Sequence, residues 1–466
     1  MRWIITMECI GEDGNKSTVV LGVIERAADG TVPENVGVNL NESQRILRSL
    51  QETVVGQQLQ EHCERNRRCS GCGTLRAVKD YRRRRLDTVL GTVRPQSPRY
   101  HACRHCAGSR GSNPIAGLLP GRMTPELRHL QVSLGAQTSY RKAARLLREL
   151  LPPTGGTNHA TTRNRVMAIG ERIDEEIQHE IKENRTAENP ARQMIIGIDG
   201  AFVKGHRRHR TDRASLEIIT GRIETETEAG KMFAIVRDRD GQAKQRLRAL
   251  LRRMGRSSET KDRVLSDGED GMRSMVGHWF HGNEQRILDW YHIARRFEAI
   301  GKSLLYLPHV EDFGDRLGRH WHHLSRARWK VWHGNWEGAH LALASFYDGV
   351  NIHTRQAEKE ARRTTSLQEI CTRLNELWSY LTANKRHLIN YGKEHREGNP
   401  ISTARVESTV NQLVDWRMEK KQHMRWTPRG AQMLLHARCA LLNGDLGKYT
   451  GWSLLSRCTG YVNICH

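Results

Sequence analysis

No apolar stretch in this 466-residue chain approaches the ~18 residues that a bilayer-spanning helix needs. The opening Met1-Arg2-Trp3-Ile4-Ile5-Thr6 lacks the length of a secretory-leader core. Those absences exclude a membrane-spanning class and predict an intracellular soluble protein. Acidic residues are in deficit as well: 52 Asp+Glu stand against 75 Lys+Arg, a formal net charge of +23. Hydrophobic residues supply only 37% of the chain and charged residues 27%, low but within the range of a globular protein with a large solvated surface. Arginine clusters recur, as at Arg82–Arg85 and His206–Arg210. A surface this basic predicts a polyanionic partner, most commonly DNA or RNA, with an acidic membrane surface as the rival.

What is present divides unevenly. The length accommodates roughly two to four domains. Of ten cysteines, Cys63, Cys69, Cys72, Cys103 and Cys106 crowd one segment, while Cys9, Cys371, Cys439, Cys458 and Cys465 are scattered. Disulfides are rare inside cells, so the crowded set predicts metal. Cys69-Ser70-Gly71-Cys72 and Cys103-Arg104-His105-Cys106 supply four thiolates suited to tetrahedral zinc, a structural site with no open position for water. His62, Cys63, His101 and His105 read as neighbours. A zinc ribbon over 61–113 follows, with Tyr81–Arg85 and Val89–Val93 as a β-ribbon between the knuckles. Residues 1–60 read as a small α+β module: strands Trp3–Ile10 and Thr18–Ile24, then a helix from near Asn41.

Residues 114–190 read as helical. Thr124-Pro125-Glu126 carries a cap followed by proline at the first helical position. Ser139 caps Tyr140–Leu150, and Asn158 opens a third helix. That third helix places Thr161, Thr162, Arg163, Asn164 and Arg165 ahead of apolar Val166, Met167 and Ile169. Three short helices with polar and basic residues at the start of the third fit a helix-turn-helix reader of the major groove, and those five residues are its candidate DNA contacts.

From Gln193 strands alternate with helices. Met194–Ile198 is an apolar run that stops at Asp199-Gly200, read either as a buried strand ending in a carboxylate or as a hairpin turn. Leu216–Ile223 and Met232–Val236 are further strands, and Gln242–Met254 a helix. Arg263–Ser266 then repeats the theme with Asp267-Gly268, and Gln285–Asp289 leads into helix His292–Leu305. The pattern predicts an α/β sheet of mixed direction built from 191–305 and 400–445. Residues 306–399, with Trp321, Trp329, Trp332 and Trp336, read as an all-helical insertion; His320-Trp321-His322-His323 reads as a polar face and not a metal site. A helix beginning near Ser402 carries Val406, Val410, Leu413 and Val414 as its apolar stripe, with Glu407 and Asn411 together at its edge. Thr427-Pro428 opens another helix, which ends before Gly444, and 446–466 form a tail.

Three strings carry a resemblance: Val264-Leu265-Ser266-Asp267-Gly268, Leu288-Asp289-Trp290-Tyr291-His292, and Ala404-Arg405-Val406-Glu407-Ser408-Thr409-Val410-Asn411-Gln412. With Arg417–Gln422 and Met424–Ala431 they resemble the Kra group of bacterial insertion-sequence transposases, well over about 190–445 and more weakly before it. The resemblance implies a ribonuclease-H-like core with an Asp-Asp-Glu site at Asp199, Asp267 and Glu407. Two magnesium ions, for which manganese can substitute, would sit on those carboxylates. Asp289-x-x-His292 is similar to a signature that mutator-like eukaryotic relatives carry after the second acid, and Asp289 stands as the alternative to Asp267; Asn411 is a further accessory residue. Lys204, Arg207, Lys420, Lys421 and Arg425 are candidates to grip flanking phosphates. The implied protein cleaves and joins transposon-end DNA, acts on double-stranded ends and target as a homo-oligomer, and is cytoplasmic and nucleoid-associated. A catalytically inactive DNA-binding regulator and a nuclease without strand transfer are the alternative readings.

Overall fold

A computed structural model describes residues 1–11, 14–27, 33, 36–106, 110–119, 121–184, 189–206, 215–226, 230–237, 239–280, 284–305, 314–359, 364–402, 408, 410–418 and 424–452; in 314–320, 352–359 and 364–367 only the backbone is described. The chain forms two compact units, 1–173 with 444–466, and 174–443. Among the described residues no helix is long and apolar enough to cross a membrane.

The first unit opens with an antiparallel pair, β1 (Arg2–Ile10) and β2 (Lys16–Glu25). Helix α1 (Leu40–Arg65) starts where Asn39 accepts from the Glu42 backbone and Glu42 reaches back to the Asn39 N–H, a reciprocal cap that satisfies two otherwise orphaned donors. It runs past the expected end of the N-terminal module and buries Val55, Leu59 and Cys63 against Leu86, Val93 and Ile115. Cys63 is thus a core residue, and its carbonyl accepts from the Tyr100 hydroxyl at 2.8 Å. The expected β-ribbon is two short ladders: β3 (Val78–Arg83) pairs with β6 (Gln96–Tyr100), and β4 (Leu86–Thr88) with β5 (Gly91–Val93). A short helix α2 (Pro114–Leu118) follows.

Three helices come next, α3 (Pro125–Gln137), α4 (Tyr140–Leu150) and α5 (His159–Glu183). Thr124 and Ser139 cap the first two as their sequence positions require, and Asn158 accepts from the Thr161 backbone at 2.8 Å. Helix α5 runs through Gly170 and on to Glu183 without a break, since no proline interrupts the run. The short helix Leu446–Thr450 packs on α3, so part of the expected tail completes this unit.

The second unit is built on a five-stranded sheet of β7 (Gln193–Lys204), β8 (Ser215–Thr225), β9 (Lys231–Val236), β10 (Lys261–Ser266) and β11 (Gln285–Leu288), in the order β11-β10-β7-β8-β9. β7, β8 and β9 form an antiparallel meander, whereas β10 and β11 run parallel to β7. The mixed sheet predicted from the sequence is therefore present. One face packs on α6 (Ala243–Arg253) and α7 (Asp270–Trp279), through Met194, Ile196, Ile198, Leu247 and Val276. The other packs on α8 (Trp290–Leu305) and on a helical block of α9 (Gly314–Trp332), α10 (Trp336–Lys359) and α11 (Thr364–Asn384). A short α12 (Tyr391–Arg396) returns the chain, with the Tyr391 hydroxyl donating to the Leu288 carbonyl at 2.8 Å.

The last helix of the unit, α13 (Pro428–Leu442), covers the sheet edge at β9. The Gln432 side chain accepts from Val236 N–H at 2.7 Å and donates to the Ala234 carbonyl at 3.1 Å. An amide thus occupies the place of a sixth strand and blunts an edge that would otherwise invite pairing.

The candidate metal centres

Asp199 neither ends its strand nor turns a hairpin, in contrast to both sequence readings. β7 continues through it to Lys204, held by β8 along its whole length, with Asp199 opposite Thr220. What ends at this point is the parallel pairing: Ile198 is the last β7 residue beside β10, opposite Ser266, and Ser266 is in turn opposite Leu288 of β11. The next residue on each strand is an acid. Asp199, Asp267 and Asp289 therefore form one row across three adjacent strands, with neighbours about 4.8 Å apart along the backbone. Side chains alternate along a strand. Ile196, Ile198 and Val264 point to the α6–α7 face, and Leu265 to the α8 face, so Asp199 and Asp267 point toward α8.

The three acids differ in surroundings. Asp199 is half-buried, and one of its oxygens accepts from Gly200 N–H at 2.7 Å. Burial pushes its carboxyl above the ordinary range; Gly200 and His292 pull it down, and the charges of Asp267 and Asp289 add to the upward push. Asp289 has a side chain 0% exposed, whereas that of Asp267 is 15% exposed. One Asp289 oxygen caps α8, accepting from Tyr291 N–H at 2.8 Å. His292 stands between the two acids: Nδ1 is 3.7 Å from Asp267 and Nε2 is 3.7 Å from Asp289. Asp289 is thereby occupied as a helix cap in the dry interior, and Asp267 is the acid of the pair that reaches solvent.

Asp267 has a further partner that no sequence motif announced. Tyr380, near the end of α11, donates its hydroxyl to Asp267 Oδ1 at 3.0 Å. Burial first, and the neighbouring Asp267 charge second, push the Tyr380 phenol up, so it keeps its proton and remains a donor. Asn384 donates to the Gly268 carbonyl at 2.9 Å. A Cβ at Gly268 would strike Leu288 and come within 2.5 Å of Asn384, which is why the acid must be followed by glycine here. The sequence holds no cue for Tyr380, because 113 residues separate it from Asp267 and an aromatic on an apolar helix face reads as core.

Glu407 lies outside the described residues, as do Arg207, Lys420 and Lys421. Described residues before and after it in sequence are anchored within the unit. Ile401 accepts at its carbonyl from Trp290 N–H at 3.1 Å, at the start of α8, and Trp426 N–H donates to the Lys204 carbonyl at 2.9 Å, at the end of β7. Asn411 begins a π-helical turn, Asn411–Asp415, and not the regular helix expected; its neighbours Gln412 and Leu413 accept from the buried Arg438 guanidinium. Lys204 and Arg425 are exposed.

In the first unit the cysteines converge. The sulfurs of Cys69, Cys72, Cys103 and Cys106 all lie within 4.8 Å of one another, with Cys69–Cys106 at 3.8 Å and Cys72–Cys103 at 3.4 Å. A tetrahedron with Zn–S near 2.3 Å has edges of about 3.8 Å, so the four thiols fit zinc. The knuckle is tied locally: Gly73 N–H donates to the Cys69 carbonyl and Cys69 N–H to the Thr74 carbonyl, both at 2.9 Å. Gly73 takes φ +73°, where a side chain would be strained. Hydrogen bonding to Thr74, foremost, draws Cys72 down to about 6, while its bond with Cys72 pushes Cys106 up to about 12.

Of the five expected DNA contacts on α5, Arg163 and Asn164 are exposed and Thr161 is half-buried. Thr162 is fully buried and its hydroxyl donates to the Asn158 carbonyl at 3.0 Å, so it belongs to the helix packing and not to a DNA-facing surface. Arg165 leans on the Gly156 carbonyl at 3.5 Å, and burial brings its guanidinium down to about 10. The sequence placed both correctly on the first turns but could not show which side of the helix meets α3.

No family model matches this chain, and no curated protein matches it. Among solved structures it is similar to the Drosophila P element transposase strand transfer complex, at 11% identity over 71% of this chain and 94% of that one, with a TM-score of 0.33. A likeness that slight carries no argument about fold or chemistry.

Proposed function

We propose that this chain is a DNA transposase of the Asp-Asp-Glu type, cleaving and joining transposon-end DNA with divalent metal on a ribonuclease-H-like core. The observation that carries the reading is the acid row: Asp199 and Asp267 follow register partners on adjacent parallel strands and share one face. The strand order, with a three-stranded meander flanked by two parallel strands, supports the core that the sequence resemblance implies. Asp267 serves as the second acid because it reaches solvent, whereas Asp289 caps α8 and is fully buried. Glu407 is assigned the third place on the resemblance.

The residues suit a hard cation, since carboxylate oxygens are the donors magnesium prefers. Asp199 and Asp267, with Glu407, would hold paired divalent ions, which when bound would supply activation of the attacking oxygen and stabilisation of the leaving one. The chain's own contribution is to hold Asp199 rigidly inside β7, to keep Asp267 between His292 and Tyr380, and to exclude water from Asp289. The four cysteines are assigned structural zinc, and Arg163, Asn164, Lys204 and Arg425 are placed among the residues that bind DNA.

Incubating the purified protein with labelled DNA from either side of its coding region, a target plasmid and Mg²⁺ tests the reading. Metal-dependent joined product is expected. Binding with no cleavage would mean a regulator, and cleavage with no joining a nuclease; either overturns the proposal.

A further inference from the structure

The helical block between α8 and α12 reaches the acid row through Tyr380, and the details of that contact go beyond packing. Gly268 N–H donates to the Tyr380 oxygen at 3.3 Å. A backbone N–H can only donate, so the phenol must accept there, leaving its single proton for Asp267 Oδ1 at 3.0 Å. Asn384, one turn further along α11, holds the Gly268 carbonyl at 2.9 Å and the Tyr380 carbonyl at 2.8 Å. From α8, the Arg296 guanidinium stacks over the Tyr380 ring at 4.1 Å and pairs with Glu269. Residues 267–269 are therefore gripped at successive points by two helices, and the Tyr380 ring is buried.

We infer that Tyr380 is a positioning residue for Asp267: its hydroxyl ties down one carboxylate oxygen and thereby presents the other to a divalent cation. The inference rests on the proposed metal site. Packing needs the ring, and the Gly268 N–H needs only an acceptor. The hydroxyl has a separate task, because a carboxylate that binds metal is commonly oriented by an outer hydrogen bond whose loss costs about 10–100-fold in metal affinity or activity. The helical block is on this view part of the active site.

Mn²⁺ binding to the full-length, zinc-replete protein, read from the electron paramagnetic resonance of free Mn²⁺, tests this beside thermal melting. Y380F is expected to melt somewhat below the wild type, since Gly268 N–H loses its acceptor, and to bind Mn²⁺ about 10–100-fold more weakly. In cleavage assays it should need correspondingly more Mg²⁺ for half-maximal rate, with a much smaller change at saturating metal. N384A should shift binding in the same direction by less, and decides the matter if Y380F melts early. Wild-type Mn²⁺ binding by both variants, with binding lost in D267N, overturns the role of Tyr380 and leaves the metal site standing. Wild-type binding by D267N overturns the metal site itself, and the inference with it.

Discussion

The cysteine knuckles and the acid row are both sets of ligands, yet they are assembled by opposite means. The knuckles are local: two residues separate each pair of thiols, a turn at Gly73 closes the first loop, and one short ladder brings the pairs together. The acid row is topological. Asp199, Asp267 and Asp289 are distant in sequence and meet because β7, β10 and β11 pair in parallel at a register that ends on the same step. A local site is specified by spacing and tolerates changes elsewhere. A topological site depends on every strand and crossover that sets the register, and its ligands carry no spacing signature. The thiols already gather closely, whereas like charges on three carboxylates favour separation until a cation joins them.

That contrast can be broken most severely at the row. D267N should lower DNA cleavage by roughly 10³-fold or more, given what a single charge-stabilising group contributes to phosphoryl chemistry, while end binding stays near wild type in a filter or gel assay. D289N should instead lower the melting temperature, because it alters the α8 cap in a dry interior. Full cleavage by D267N with none by D289N would exchange the two assignments.

Next in size is the knuckle. Metal analysis should find one zinc per chain, and C72S should lose it together with protease resistance of the surrounding ribbon, since structural zinc supplies about 10–16 kcal/mol of apparent binding energy in small metallo-modules. D267N should keep its zinc. Four thiols that alkylate freely in the native protein would remove the local half of the comparison.

The smallest effect sharpens how far the first unit depends on pH away from either metal set. Glu42 is held down to about 2, first by the Arg26 guanidinium and then by the Asn39 backbone N–H, against an ordinary value of 4.5. A depressed folded-state value means that the ionised carboxylate stabilises the fold at and above about pH 4.5, and that this contribution is lost as pH falls toward 2. E42Q should therefore melt below wild type at neutral pH and converge with it in acid. Parallel melting curves from pH 7 to pH 2 would show that the cap and ion pair contribute nothing.

Legibility followed the same division. The two Cys-x-x-Cys pairs, the caps at Thr124, Ser139 and Thr427, and the strand–helix alternation from Gln193 were readable because each is set by neighbours within a few residues. The continuation of β7 beyond Asp199 was not, since it depends on β8 lying alongside. Thr162 looked like a groove contact because its neighbours are polar, and only the packing of α5 on α3 places it inside. Tyr380 was illegible for the same reason: its meaning comes from a partner brought to it by folding. Glu407, read from the motif that contains it, lies outside the described residues.

The central claim is that carboxylates from three remote stretches share one metal site, and replacing Mg²⁺ with Fe²⁺ tests it directly. With ascorbate and peroxide, bound Fe²⁺ generates hydroxyl radical that cuts the nearest peptide backbone, and mass spectrometry locates the cuts. Cuts clustered at Asp199, Asp267 and Glu407, suppressed together by excess Mg²⁺ and lost in D199N, are the predicted result. Cuts that spare one of these three stretches, or that persist unchanged in D199N, would contradict it.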